Sequence, residues 1–279
     1  MQGSAIAQPN IALIKYWGKR DIERNLPAVG SISVTLQELS TRMSVKFESG
    51  LAEDVLTVND VPDTRMLARL SACLDRVAGP DRPHARVTSH CNFPIAAGLA
   101  SSASSFAALT VAAAAAGNKS FDTDELASLA GRASGSAARS LFGGFVELEN
   151  VGDGIECRTV RQADTWPLRV VVAVTATGPK AVGSTEAMEI SRKTSPFYSN
   201  WVEQQDDDLD TARAAIEHRD FEKLAAIAEH NCLKMHSIMW ASRPPMVYWN
   251  DATMRCLQSV RKLQGQGIGV FFTIDRDME

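Results

Sequence analysis

The sequence predicts an α+β fold in two parts, on the basis of three observations. The first part is rich in short apolar segments with alternating or β-branched residues, a pattern typical of strands. The second part contains long segments with apolar residues three and four positions apart, as in helices. Residues 162–167 interrupt both patterns. We therefore predict an N-terminal domain over 1–165 and a C-terminal domain over 166–279.

The elements of the first part follow from their local patterns. Gly117 and Asn118 form a stop signal after an alanine-rich helix. Gly131 and Gly135 are expected to break the next helical segment, and Val151–Gly154 to turn a hairpin. Strands are predicted at 11–17, 31–37, 42–48, 55–60, 85–93, 145–150 and 156–162, and helices at 64–77 and 102–116.

The second part is predicted to begin and end with a strand. LRVVVAVTA and IGVFFTI are apolar and β-branched, and the segments between them have helical spacing. Strands are predicted at 168–176 and 268–274, and helices at 206–220, 221–239 and 252–266.

Size, charge and composition favour a small-molecule substrate. The chain has 279 residues, 45% of them hydrophobic, which is enough for a sizeable core. Its net charge is −4 and no basic tract argues for nucleic acid or an anionic membrane. The sequence contains no uninterrupted apolar span of about 20 residues, the length that a membrane helix needs, and no signal peptide is recognisable. Five cysteines without metal-like spacing favour reduced thiols, so we expect a cytoplasmic protein.

The stretch NFPIAAGLASSASS raises the first functional hypothesis. It has the form P-x-x-x-G-L-x-S-S, with Pro94, Gly98, Leu99, Ser101 and Ser102, and it runs into the alanine-rich helix. Unpaired N–H groups at a helix start attract phosphate, and hydroxyls add ligands for phosphate or Mg²⁺. Close helix packing is the alternative explanation, and the stretch alone does not decide between them.

Two further segments combine cations with small hydroxyl residues. NIALIKYWGKRD places Lys15, Tyr16 and Lys19 close together, which suits a polyanion, although a solvated strand edge is the commoner meaning. SGSAAR contains Ser134, Gly135, Ser136 and Arg139, and arginine binds phosphate or carboxylate in a bidentate manner. A contact between helices with small residues explains the second segment equally well. The candidate residues of the two segments are Lys15, Tyr16, Lys19, Ser134, Gly135, Ser136 and Arg139.

Two segments of the second part are also candidates. ATGPKAVGSTEAM, with Lys180 and Ser184, is predicted to be a loop that closes over a phosphate. Asp275 follows the apolar segment IGVFFTI, at the usual exit point of a catalytic carboxylate, although a solvated turn aspartate is the simpler alternative.

Taken in order, NIALIKYWGKRD, SISVTL, NFPIAAGLASSAS, SGSAARSLFGGFVE, GSTEAM and FTID resemble the diphosphomevalonate decarboxylase family of the GHMP kinase superfamily. The resemblance spans nearly the whole chain. It implies a two-domain GHMP kinase-like fold with a cleft between the domains, ATP and Mg²⁺, mevalonate 5-diphosphate as substrate, and a homodimer. The implied product is isopentenyl diphosphate, formed with release of ADP, phosphate and CO₂.

The resemblance also implies roles for individual residues. Asp275 corresponds to the aspartate near the 3-hydroxyl, Asn10 orients Arg139, and Lys15 belongs to the same catalytic group. The substrate-binding positions are Tyr16, Lys19, Ser134, Gly135, Ser136, Arg139 and Ser184. The nucleotide positions are Pro94, Gly98, Leu99, Ala100, Ser101 and Ser102, with Ser101 and Ser102 also next to the metal.

The end of the sequence departs from the family pattern. Family members usually continue the aspartate strand as Asp-Ala-Gly-Pro-Asn, whereas Arg276, Asp277, Met278 and Glu279 follow Asp275 here. We therefore expect the closing elements of the C-terminal domain to be missing. Two alternatives stay open: a phosphomevalonate decarboxylase, which holds one fewer phosphate, and a truncated, non-catalytic remnant of the same fold.

Overall fold

The first part of the chain combines strands with three helices, and helices dominate the second part. The computed structural model describes residues 1–94, 101–175 and 183–275. The strands are β1 (Gln2–Ala7), β2 (Asn10–Ile14), β3 (Lys19–Asp21), β4 (Leu26–Pro27), β5 (Ser31–Thr35), β6 (Thr41–Phe47), β7 (Val55–Val58), β8 (Val61–Pro62), β9 (Ala85–Cys91), β10 (Phe145–Val151) and β11 (Gly154–Arg161). The helices are α1 (Leu67–Ala78), α2 (Ser101–Ala116), α3 (Thr123–Ala133), α4 (Ser184–Thr194), α5 (Tyr198–His218), α6 (Phe221–Trp240) and α7 (Asp251–Gly265), with 3₁₀ turns at Ala137–Leu141 and Ala163–Thr165.

Two sheets organise the first part. A five-stranded sheet has the order β1-β6-β9-β7-β8, with antiparallel pairs except for β7 and β9, which are parallel. A four-stranded antiparallel sheet has the order β11-β10-β5-β2, and β3 pairs with β4 separately. Every residue of β2 and β5 is buried. The α+β prediction and the predicted hairpin of β10 and β11 are confirmed.

The alanine-rich helix α2 packs directly against β1. A Cβ atom at Gly3 would lie 2.3 Å from the carbonyl oxygen of Ala112 and 2.6 Å from the amide nitrogen of Ala116. Backbones approach this closely only where both elements carry very small side chains. Close packing therefore explains the alanines in the body of α2.

Helices α5 and α6 cover the four-stranded sheet. Leu209 and Ile216 of α5 and Leu224 of α6 share one buried cluster with Ile14 and Ile32 of the sheet. This cluster contains residues from both sides of the predicted boundary near residue 165, so the two parts share a hydrophobic core. The boundary at 165/166 itself stays a prediction.

Five predictions about local structure are wrong or incomplete. Residues 168–175 and 268–274, predicted as strands, pair with no strand among the described residues. Side chains of α6 bond the second segment instead: Phe272 N–H donates to Glu229 Oε1 at 3.3 Å and Ile274 N–H to Cys232 Sγ at 3.2 Å. In the first segment Val171 is 91% exposed, because no neighbouring strand lies against it.

The other differences concern the role of Gly131 and the first residues of helices α4 and α5. Gly131 does not break α3, which continues to Ala133. The glycine instead allows β11 to pack closely against the helix, since a Cβ there would lie 2.7 Å from Ile155 Cδ1. The predicted loop over 176–188 contains the first turn of α4, which begins at Ser184. The first eight residues of α5, which are largely polar, were also missed. No helix within the three described ranges has the length and apolarity needed to cross a bilayer.

We predict that Gly3→Ala destabilises the protein by about 1–3 kcal/mol, the usual effect of overpacking a tight interface. The added methyl group meets backbone atoms of α2, which move only with the helix. Urea unfolding of Gly3→Ala against the parent protein measures the change. Gly50→Ala is the matched control, since a Cβ at Gly50 meets nothing within 4 Å. Equal unfolding free energies for both variants would contradict the α2–β1 packing described above.

Candidate active site

A cleft of about 820 Å³ lies where the loop after β2, the end of α3, the start of α4 and residue 275 meet. Its walls are rich in positive charge, although the whole chain carries a net charge of −4. Its acidic lining residues are fewer: Glu23, Asp63, Glu186 and Asp275. Its basic lining residues are Lys15, Lys19, Arg65, Arg69, Arg76, Arg132 and Arg139.

Lys15 and Asp275 form an ion pair inside the cleft. The Lys15 ammonium donates to Asp275 Oδ1, and the exposed fractions of the two side chains are 2% and 17%. Lys15 is the first residue after β2, and Thr273 Oγ1 donates to the carbonyl oxygen of Ala12 at 3.0 Å. The segment that carries Asp275 is thus bonded to the strand that carries Lys15.

Arg139 lies in the 3₁₀ turn and is 2% exposed. Its Nε donates to Ser33 Oγ at 2.9 Å, its Nη1 to Ser31 Oγ, and its Nη2 to Asn10 Oδ1 at 3.2 Å. The amide of Asn10 is fixed in turn, because its Nδ2 donates to Ser140 Oγ at 2.8 Å and to the Ser136 carbonyl oxygen at 3.1 Å. Asn10 therefore sets the plane of the guanidinium group.

The charge of Arg139 has no carboxylate partner among the described residues, since its guanidinium group donates only to neutral oxygens there. Burial lowers the pKa of its guanidinium group from the ordinary value, yet an arginine keeps its charge in proteins. A buried cation without an anion is costly. The arrangement is therefore suited to an anionic ligand that enters from the cleft.

Tyr16 and Gly135 lie in close contact on one wall of the cleft. A Cβ at Gly135 would approach Tyr16 Cε1 to 2.5 Å, so only glycine lets the ring lie there. Ser134 and Ser136 flank this glycine and also line the cleft. The first residues of SGSAAR thus provide a wall without bulky side chains, and its last residue is the buried Arg139.

Lys19 closes the opposite wall. Its ammonium donates to Thr185 Oγ1 at 2.5 Å, in the first turn of α4 beside Ser184. Burial lowers the pKa of Lys19 from its ordinary value; the nearby Arg69 lowers it further and Glu189 raises it. The first turn of α4 and β3 are thereby joined at the mouth of the cleft.

Ser101 and Ser102 begin α2 and are almost buried. Both line a second cavity of about 80 Å³, whose other walls include Leu56, Met66 and Phe106, and Ser102 also lines the main cleft. Ser134 Oγ donates to Ser102 Oγ at 3.4 Å. Pro94 is exposed. The predicted positions Gly98, Leu99, Ala100 and Lys180, and the tail 276–279, lie outside the described residues.

The structure brings most of the predicted residues together around the main cleft. Lys15, Tyr16, Lys19, Ser134, Gly135, Ser136, Arg139, Ser184 and Asp275 all line it, together with Asn10 and Ser102. The sequence analysis missed Ser31 and Ser33, the partners of Arg139. Thr185, the partner of Lys19, belongs to the segment ATGPKAVGSTEAM that was predicted to close over a phosphate. The sequence analysis also missed Arg65, which lies just before α1, and Arg69 and Arg76, whose spacing of seven residues places them on one face of α1.

Comparisons with known proteins point to one family. Residues 7–159 match the family model for the diphosphomevalonate decarboxylase-like N-terminal domain, and residues 170–275 match the mevalonate 5-diphosphate decarboxylase C-terminal domain. A diphosphomevalonate decarboxylase of Candida albicans is 35% identical over 293 residues, which cover 98% of this chain and 81% of the relative.

Solved structures agree with this result. Mevalonate diphosphate decarboxylase from Staphylococcus aureus has a TM-score of 0.89 at 34% identity, covering 98% of this chain and 85% of the other. A structure described as a complex with MVAPP, AMPPCP and magnesium also has a TM-score of 0.89 at 34% identity, covering 99% of this chain and 86% of the other.

We predict that the pKa of Lys19 lies below its ordinary value and moves in opposite directions in two variants. Arg69→Gln should raise it, because a repelling cation is removed, and Glu189→Gln should lower it, because an attracting anion is removed. NMR titration of the ¹³Cε resonance of Lys19, assigned by its loss in Lys19→Arg, measures both shifts. Movement in the same direction in both variants would show that these charges do not act on Lys19.

Proposed function

We infer the working of the cleft from one premise: the chain belongs to the diphosphomevalonate decarboxylase family. Its activity is the ATP-dependent decarboxylation of mevalonate 5-diphosphate, which yields isopentenyl diphosphate, ADP, phosphate and CO₂. A tertiary hydroxide leaves poorly, so the 3-hydroxyl is first phosphorylated. The C–O bond to that phosphate and the C–C bond to the carboxylate then break, and the electron pair of the C–C bond forms the alkene.

The buried charge of Arg139 is the observation that carries the proposal. A substrate with a carboxylate and a diphosphate supplies the anion that the guanidinium group lacks within the described residues. We assign Arg139 to an anionic group of the substrate and Asn10 to the orientation of Arg139. Tyr16, Lys19, Ser134, Gly135, Ser136 and Ser184 line the rest of the substrate site.

Asp275 is proposed to act at the 3-hydroxyl. Its Oδ1 is bonded to Lys15, which leaves Oδ2 to accept or orient the proton of the hydroxyl group. Lys15 holds the carboxylate in position and adds positive charge where phosphoryl transfer concentrates negative charge. Electrostatic stabilisation by Lys15, Lys19 and Arg139 therefore accounts for much of the expected catalysis.

The start of α2 fits Mg-ATP. Helix α2 has sixteen residues, so the positive end of its macrodipole lies at Ser101. Ser101 and Ser102 line the apolar cavity, and Ser102 also lines the cleft. We assign the purine base to the apolar cavity and the phosphates to the residues that precede α2, which are Pro94, Gly98, Leu99 and Ala100. No cluster of three acidic, histidine or cysteine side chains offers a metal site in the described ranges. Phosphate oxygens and the two serines are thus the proposed Mg²⁺ ligands, and the ion neutralises charge on the phosphates.

Three further expectations stay proposals. The domain boundary at 165/166 rests on the break in pattern at 162–167, and the cytoplasmic location rests on the cysteine usage. The homodimer rests on the family resemblance alone. Light scattering coupled to size-exclusion chromatography gives the mass in solution and tests the dimer directly.

One assay tests the proposed function. The purified protein is given Mg-ATP with mevalonate 5-diphosphate or with the 5-monophosphate, and ADP and CO₂ are measured in parallel. We expect equal amounts of both products and a higher kcat/KM for the diphosphate. Preference for the monophosphate would favour a phosphomevalonate decarboxylase, and ADP without CO₂ would show a kinase.

We predict that Asp275→Asn lowers kcat by about two to four orders of magnitude, the usual contribution of a positioned acid-base group. Affinity for an ATP analogue should stay unchanged, because the proposed nucleotide site lies at α2. Asp153→Asn is the control, since the Asp153 side chain is 95% exposed. A kcat within threefold of the parent value would remove Asp275 from the chemistry.

We predict that Arg139→Gln weakens both binding and turnover of the diphosphate without unfolding the protein, because a bidentate anion ligand is lost. Arg86→Gln, at an exposed arginine paired with Glu48, serves as the control for charge removal. Steady-state kinetics and thermal melting are recorded together. Unchanged KM and kcat in a folded Arg139→Gln variant would show that the buried cation has another purpose.

A further inference from the structure

The backbone of Lys15 is held by two buried carboxamides rather than by the sheet. Strand β2 ends at Ile14, and its pairing with β5 is already irregular between Ala12 and Ile14. Beyond that point, the Lys15 N–H donates to Asn231 Oδ1 at 2.7 Å. The Lys15 carbonyl oxygen accepts from Gln205 Nε2 at 2.8 Å. Both backbone polar groups of this one residue are therefore bonded to side chains.

The two carboxamides form a closed network. Asn231 Nδ2 donates to Gln205 Oε1 at 3.0 Å and to Asp208 Oδ2 at 2.6 Å. Gln205 Nε2 also donates to the carbonyl oxygen of Gly30 at 3.1 Å. The Asp208 carboxylate fixes the orientation of the Asn231 amide, because the reversed orientation would place two oxygens together. It is held in turn by Lys234, whose Nζ lies at 2.7 Å.

Burial makes this network costly unless it is complete. Gln205 and Asn231 are both 0% exposed, on facing sides of α5 and α6. A buried carboxamide with an unmade hydrogen bond is unfavourable, and a satisfied network fixes one geometry. The geometry that it fixes is that of Lys15, whose ammonium pairs with Asp275.

We propose that Asn231 and Gln205 are positioning residues for decarboxylation, acting through the backbone of Lys15. The inference rests on the proposed role of the Lys15–Asp275 pair. A small displacement of a catalytic group lowers turnover strongly, by as much as about 100-fold for 1 Å. Substrate-binding residues such as Arg139 and the proposed nucleotide site at α2 are not bonded to this network, so binding should change much less than turnover.

The first test uses two nearly isosteric variants, Asn231→Leu and Gln205→Met. Each should lower kcat by about 10- to 100-fold while KM for ATP and for the diphosphate changes less than about threefold. Thr110→Val is the control: Thr110 is buried in α2 and bonds to Phe106, with no contact to Lys15. It should cost similar thermal stability and leave kcat unchanged. If Asn231→Leu does not fold, Asn231→Asp is used in its place, because it exchanges only the amide NH₂ group for an oxygen.

A double-mutant cycle separates positioning from general stabilisation. In a Lys15→Met background, Asn231→Leu should cause little further loss of kcat, because the group that it positions is already gone. Amide hydrogen exchange adds a readout that needs no activity: Asn231→Leu should speed exchange at the Lys15 amide more than at Ile32 in β5.

Three results would overturn the inference. They are a folded Asn231→Leu or Gln205→Met with kcat within threefold of the parent, an equal loss in kcat with and without Lys15, or unchanged exchange at Lys15. Failure of the proposed function is recognised separately, because the unmodified protein would then release no CO₂.

Discussion

Arg139 carries a positive charge at a position where the described residues bond it only through neutral oxygens. The surrounding elements make this burial tolerable. Strand β5 supplies two serine hydroxyls on one face, β2 supplies the amide of Asn10, and the 3₁₀ turn presents the arginine itself. The small residues of SGSAAR then leave the guanidinium open to the cleft. In the proposed function, the substrate is the anion that balances this charge, and its binding is thereby coupled to the electrostatics of the core.

Local patterns predicted much of this arrangement. Helix α2, helix α6, the β10–β11 hairpin and the cleft-lining residues of NIALIKYWGKRD and SGSAAR follow from periodicity, turn residues and clustered chemistry. Other features depend on contacts that no local pattern encodes. Ser31 and Ser33 occur in an ordinary alternating strand, and only the fold shows that their hydroxyls face Arg139. Residues 268–274 look like a strand, yet their backbone is bonded by side chains of α6.

Helix α6 links the two members of the Lys15–Asp275 ion pair. On one face, Asn231 bonds the backbone of Lys15. On another, Glu229 and Cys232 bond the segment that leads to Asp275, and His236 Nε2 lies 3.3 Å from the carbonyl oxygen of Ile274. A single rigid helix therefore sets the separation between ammonium and carboxylate. The shared core with the four-stranded sheet keeps that helix in place.

The two members of the ion pair are 260 residues apart in the chain. During synthesis on the ribosome, the five-stranded sheet and α2 consist of contacts from the first part and are able to form early. The hydrogen-bond partners of Arg139 all precede residue 141, so they too are synthesised by that stage. Asp275 is synthesised more than 100 residues later. On the proposed roles, the residues that bind the substrate anion therefore emerge from the ribosome well before the carboxylate that acts on it.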